Sequence, residues 1–170
     1  KNSSAYIKNV SAHIPPLERT ISSNSGMDNL DVEKFENIIV PQGLGGAQLI
    51  SYDGGMYLST LQERDIQSRD PLYSIVIELD REVFKQALSQ FNTYERSSSV
   101  IISLTYNDIV IKQPDMEDAE LKSIMTRLDT HNNNGTEYVN INQKGYYVAH
   151  SKSEYLNMVL LKFIPREYIM

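Results

Sequence analysis

The chain has 170 residues and contains neither cysteine nor tryptophan. Without a thiol there can be no cysteine nucleophile, no disulfide framework and no cysteine-ligated metal. No apolar run approaches the roughly 18 residues that a membrane-spanning helix needs. Positive charge is scarce: 16 Lys and Arg stand against 22 Asp and Glu, for a net charge of −6. With no basic cluster in the sequence, this balance argues against a nucleic acid or an anionic membrane surface as the main partner of the segment. The three histidines, His13, His131 and His150, never fall at HxxxH or HExxH spacing, so no zinc-binding helix motif exists. No serine sits in a GxSxG elbow. Gly43-Leu44-Gly45-Gly46 lacks the following Gly-Lys-Ser/Thr of a phosphate loop. Asp115, Glu117, Asp118 and Glu120 crowd the start of a helical pattern, but without EF-hand spacing they read as capping and dipole complement. The expectation is a non-enzymatic segment with no catalytic residue, no metal and no cofactor.

What is present is an ordinary folded composition, 41% apolar and 22% charged. A chain of this length can bury roughly 70% of its unfolded surface and needs no metal or disulfide to hold a core. It begins Lys1-Asn2-Ser3, without an initiator Met or a signal peptide, and so reads as a piece cut from a longer protein.

The clearest pattern is Pro71 to Phe91. Tyr73, Ile75, Ile77 and Leu79 alternate with Ser74, Val76 and Glu78, the period of a strand. Asp80 then reads as an N-cap, and Val83, Phe84, Ala87, Leu88 and Phe91 form one stripe at helical spacing. Before it, Ser4 to Ile14 and Leu17 to Ser23 are strand candidates around the Pro15-Pro16 turn. Ser22 to Asp28 reads as a loop. Asn29 or Asp31 can cap a helix running to Val40, with Val32, Phe35 and Ile39 on one face. Ala47–Tyr52 and Met56–Leu61 flank Asp53-Gly54-Gly55, a hairpin signal, and Gln62 to Asp70 reads as a charged loop.

After a polar connector from Asn92 to Ser99 the order repeats. Val100, Ile102 and Leu104 make a strand that returns over Ile109 to Lys112. Pro114 breaks it and Asp115 can cap a helix with Leu121, Ile124, Met125 and Leu128 on one face. Tyr138–Ile141 and Tyr146–His150 flank a Gln143-Lys144-Gly145 turn. Asn157 to Ile164, apolar nearly throughout, should lie centrally in a sheet. The fold class predicted is α+β: two tandem modules, each an antiparallel sheet in ββαβββ order with helical cover. Their expected extents are 1–80 and 81–170, the second including a connecting helix 81–91.

Three stretches carry a resemblance: YIKNVSAHIPPLERTISS from Tyr6, PLYSIVIELDREVFKQAL from Pro71, and GYYVAHSKSEYLNMVLLKFIPREYI from Gly145. They resemble the PAS-like double Cache (dCache) sensor domain, especially the extracellular domains of Gram-positive sensor histidine kinases paired with AraC-type response regulators. A minority of similar domains sit on membrane-anchored AraC-type transcription regulators. One departure stands out. Family members begin with a long helix rising from the first membrane segment, whereas this chain opens in strand-like sequence. The expectation is that the helix was trimmed away; the surface it covers would then need another cover, such as a dimer partner.

The resemblance implies a ligand-sensing domain on the extracellular side of the bacterial membrane, in an integral membrane receptor, with residues 1–80 membrane-distal and 81–170 membrane-proximal. The implied partners are an unidentified small molecule and a second copy in a homodimer. The implied pocket maps to Tyr52 to Tyr73, where Tyr52, Tyr57, Arg64, Arg69 and Tyr73 are the candidate ligand contacts. Arginine would supply a forked donor for a carboxylate and tyrosine a combined apolar and hydroxyl surface. The tryptophan of amino-acid-binding relatives is absent, so an amino-acid ligand is not implied. Residues 165–170 would lead toward the second membrane segment. The competing class is a secreted α+β enzyme or binding protein, which would need a deep pocket of convergent titratable groups.

Overall fold

A computed structural model describes residues 5–90, 97–113, 117–128 and 131–168. The chain divides into two compact units, Lys1–Arg81 and Glu82–Met170. The first contains β1 (Ile7–Ile14), β2 (Arg19–Ser22), β3 (Gly26–Asn29), α1 (Val32–Ile38), β4 (Ala47–Tyr52), β5 (Gly55–Arg64) and β6 (Pro71–Leu79). Its antiparallel sheet runs β3-β2-β1-β6-β5-β4. The second unit opens with α2 (Arg81–Ser89). It continues with β7 (Ser98–Ser103), β8 (Asp108–Gln113), α3 (Asp118–Arg127), β9 (Asn134–Ile141), β10 (Lys144–Ser153) and β11 (Met158–Pro165), in the order β8-β7-β11-β10-β9. Setting β3 aside, both sheets place their strands in the spatial order 2-1-5-4-3. The α+β class with two antiparallel sheets is therefore as the sequence predicts.

This order fixes where each helix lies. The second strand of each unit is near one edge and the third is at the other, so the connection between them must cross a whole sheet face. The crossing segment carries the helix: α1 in the first unit, α3 in the second. The last strand returns to pair with the first, β6 beside β1 and β11 beside β7. The apolar run ending at Ile164 is therefore central, with β10 on its other side.

The second unit's core is continuous. Val100, Ile102, Val159, Leu161, Phe163 and Val148 rise from one sheet face against Leu121 and Ile124 of α3. Each is essentially removed from water, contributing roughly 1.5–3 kcal/mol per side chain. In the first unit α1 presents Phe35 and Ile38 to the sheet, and Ile38 packs with Tyr57 and Val76. Residues paired across strands share a face. The registers Val76↔Ser59, Ser74↔His13 and Tyr57↔Ile50 therefore put all these residues under α1. The opposite face carries Val10, Ile21, Met27 and Tyr73, all exposed, with Ile75 and Ile77 half-buried between them.

Several expectations need correction. The stretch Ser22–Asp28 is not a loop, because Gly26–Asn29 pairs with β2 through Arg19↔Asn29 and Ile21↔Met27. Helix α1 stops at Ile38, where the backbone turns extended at Ile39, and its inward pair is Phe35 and Ile38 while Val32 points to solvent. Strand β5 runs on to Arg64 through two register shifts, shortening the charged loop. Strand β7 begins at Ser98, inside the presumed polar connector, with Ser98 and Ser99 buried. The cap position of α3 is Glu117, without a side-chain capping bond; Phe91, Pro114 and Asp115 lie outside the described residues.

Candidate functional site

The face beneath α1 is unusual for its buried polar content. His13, Gln48, Ser59 and Ser74 are all buried there. Period two explains the placement, because odd positions of β1 and β5 and even positions of β4 and β6 share this face. Most of these groups are satisfied. The Ser74 hydroxyl donates to the Thr60 carbonyl at 2.9 Å, and Gln48 Nε2 donates to the Gly45 carbonyl at 2.8 Å. His13 Nδ1 lies 2.8 Å from Thr20 Oγ1, and its ring tilts against Phe35 with centroids 5.7 Å apart. Burial first, then the Lys34 ammonium, lower the His13 pKa to about 4 against the opposing pull of Asp31, so the imidazole is neutral at physiological pH. Ser59 Oγ is fully buried and has no hydrogen-bond partner. A buried hydroxyl left unpaired costs roughly 1–3 kcal/mol.

Tyr52 and Tyr57 stand on the same face toward its edge. Tyr57 is buried against Ile38 and Val76, with Tyr52 packed beside that cluster. Lys34 Nζ sits 5.1 Å from the Tyr57 ring centroid, within cation–π range. Its placement comes from α1, whose N-cap Asp31 accepts from the Lys34 N–H at 3.2 Å. Desolvation, then the carboxylates of Glu33, Asp53 and Asp31, hold the Tyr52 phenol above its ordinary pKa, so it is a neutral donor. Two phenols, an ammonium and flanking carboxylates form a rim suited to hydrogen bonding and charge pairing.

The other three sequence candidates are placed differently. Arg64 donates Nη1 to the Arg69 carbonyl at 2.8 Å and Nη2 to the Val40 carbonyl at 3.0 Å. It ties the loop after β5 to the segment following α1. Arg69 is exposed in that loop at φ 65°. Tyr73 lies on the opposite sheet face, paired with Glu63. The structure thus brings Tyr52 and Tyr57 together, and adds Lys34, His13 and Ser59, which local sequence reading missed. Period two in MYLSTL does put Ser59 on the face of Tyr57, so that signal was available. Nothing local links Lys34 to Tyr57.

In the second unit, a cavity of about 170 Å³ lies between α3 and the sheet, lined by Ile102, Leu104, Asn107, Met125, Leu128, Val159 and Leu161. A more open depression of about 280 Å³ lies at the α3 N-terminus among Glu117, Glu120, Ser123 and Lys144. Nearby, the Tyr146 hydroxyl donates to Glu120 Oε1 at 2.8 Å. Desolvation, then that bond and the Glu120 and Glu167 charges, push its pKa up to about 12. Among the described residues no group of three or more His, Cys, Asp or Glu could hold a metal ion, and no helix is long and apolar enough to cross a membrane.

Solved structures share this fold. The extracellular domain of a proposed histidine kinase, rpHK1S-Z16, matches with a TM-score of 0.69 at 11% identity, over 96% of this chain and 72% of that one. An extracellular ligand-binding receptor from Desulfohalobium retbaense DSM5692 matches at 0.54 and 8% identity, over 94% of this chain but only 30% of the receptor. The ligand-binding domain of Mlp24, solved with asparagine, matches at 0.50 and 10% identity, over 95% and 69%. At such identities the likeness is one of fold. No family model matches the sequence, and no curated protein does.

Proposed function

We propose that this chain is a dCache-type sensor domain on the outer side of a bacterial membrane, and that its receptor is a two-component sensor histidine kinase of a Gram-positive organism. The observation that carries this reading is the match of 96% of the chain to the extracellular domain of rpHK1S-Z16. Its support on the residue level is the polar face under α1, together with the lack of any catalytic motif in the sequence. In this reading residues 1–80 are membrane-distal and residues 81–170 membrane-proximal, and the segment binds a ligand without transforming it. Tyr52, Tyr57 and Lys34 contact the ligand. Arg64 and Arg69 shape the loop beside it, and Tyr73 on the other face serves contacts outside the pocket. The exposed apolar side chains of that other face suit the homodimer of such receptors, which sedimentation of the fragment across concentration tests.

A thermal-shift panel of organic acids, sugars, amino acids and polyamines tests the sensing reading. A ligand at 100 times its Kd stabilises the domain by roughly 2.7 kcal/mol, which is several degrees in Tm. Lys34→Ala and Tyr52→Phe change exposed or half-buried side chains, so both should fold and lose that shift. A hit that both variants retain in full would move the site away from α1. Signalling by the full receptor that survives deletion of residues 6–164 would refute the sensor role.

A further inference from the structure

The geometry points to a second ligand site, in the Glu82–Met170 unit, for a small uncharged apolar molecule about the size of one aromatic ring. Its floor is Ile102, Val159 and Leu161, each at most 3% exposed on the α3-facing side of β7 and β11. Its rim is Leu104, Met125 and Leu128, which are half-buried, so the space opens to solvent between the last turn of α3 and the turn after β7.

Volume and lining select the ligand. The open space of about 170 Å³ is large enough to admit one small aromatic molecule. An apolar cavity of about 150 Å³ stays dry and takes up benzene or xenon. Among the described residues the only polar side chain lining the space is that of Asn107, and none of those lining it is charged. A polar solute would forfeit its hydrogen bonds to water with one amide to replace them. The buried histidine of this core offers no substitute. His150 shares a face with Leu161, with Nε2 bonded to the Asn132 carbonyl at 3.0 Å and Nδ1 buried without a partner, but its side chain does not line this space. Its ring lies over Gly135, on the β9 side, where a Cβ would come 2.5 Å from Cε1. Met125 adds an unbranched, polarisable side chain that can adapt to ligand shape. This site takes a different chemical class from the polar face under α1 and stands or falls separately from it.

The test is a methyl NMR titration of the whole 170-residue chain with benzene, with glycerol as the polar control. Saturable shifts are expected at the methyls of Met125, Leu104, Leu128, Ile102, Val159 and Leu161. Ile38 and Val76 should not move, and glycerol should leave every methyl in place. Leu104→Phe and Met125→Phe each fill the space from the rim and should abolish the saturable shifts while the chain keeps a cooperative thermal transition. A drift that never saturates would overturn the proposal, as would shifts shared by exposed methyls such as Ile66 and Met27. So would binding that persists in both filled variants. If a variant fails to fold, the residue-resolved wild-type titration decides alone.

Discussion

Leu121→Ala is the sharpest test of how α3 docks. Leu121 is fully buried within the cluster that joins α3 to β7, β10 and β11. Alanine is the best helix former and leucine nearly equals it, so the substitution leaves α3 intrinsically as helical as before. What remains is the lost transfer free energy and the space left behind, which in Leu→Ala series is about 2.7–5.0 kcal/mol. The adjacent Lys122 is exposed, and Lys122→Ala should change stability by no more than about 0.5 kcal/mol. For a unit the size of Glu82–Met170, 1 kcal/mol moves Tm by about 4–8 °C, so a 3 kcal/mol loss moves it by about 12–24 °C. Urea unfolding with an unchanged slope would give the free energy directly. A Leu121→Ala loss below about 1 kcal/mol, or one matched by Lys122→Ala, would mean that this face of α3 is not packed on the sheet.

Gln143 occupies φ 67° in the two-residue turn joining β9 and β10, a conformation that suits glycine. Gln143→Gly should therefore stabilise the chain by about 0.5–1 kcal/mol, read as a raised urea midpoint. Burial holds the folded pKa of His13 at about 4, below the ordinary histidine value of 6.5. The unfolded chain binds the proton first, so stability is fully present above pH 6.5 and declines as pH falls toward 4. His13→Gln should flatten that part of the pH–stability curve, measured by urea midpoints from pH 7 to 4. Tyr146 behaves in the opposite sense. Its pKa rises from 10.0 to about 12, so the folded state keeps a proton that the unfolded state has lost, and stability falls as pH climbs through that interval. Tyr146→Phe removes the bond to Glu120, should cost about 1–2 kcal/mol at pH 7, and should reduce the alkaline slope, the remainder coming from the raised Tyr52 and Tyr106 phenols.

Local signals made much of the fold legible in the sequence. The strand Pro71–Leu79 matched its alternation, and the Asp53-Gly54 turn matched its chemistry, with both residues at positive φ. Strand β3 was illegible for a physical reason. All four of its residues are exposed, Gly26, Asp28 and Asn29 are poor strand formers, and pairing with β2 extends them. The site was half legible. Tyr52 and Tyr57 belong to one hairpin, so period two places them on one face. Lys34 reaches Tyr57 only because the connection after β3 must cross the sheet, a consequence of strand order that no local pattern encodes. Tyr73 shows the converse limit: alternation assigns it a face relative to Val76, but which face lies under α1 depends on the pairing of β6 with β5.

The two units share a strand order and a crossing helix, so what they can recognise differs only through the residues on the covered face. In the first unit that face holds His13, Gln48, Ser59 and Ser74, all buried, with Ser59 Oγ unpaired. Apolar residues there would have been more stable, since each buried polar group needs a partner and one lacks it. In the second unit the corresponding face carries buried Ser98 and His150 toward its sides, but the space under its helix is lined by Leu, Ile, Val and Met with Asn107 as the polar side chain among the described residues. One scaffold thus offers a hydrogen-bonding surface beneath α1 and an oily one beneath α3. A single polar compound that bound both units equally would contradict this division. Selective protection of the first unit's amides by a polar ligand, and of the second's by an apolar one, would follow from it.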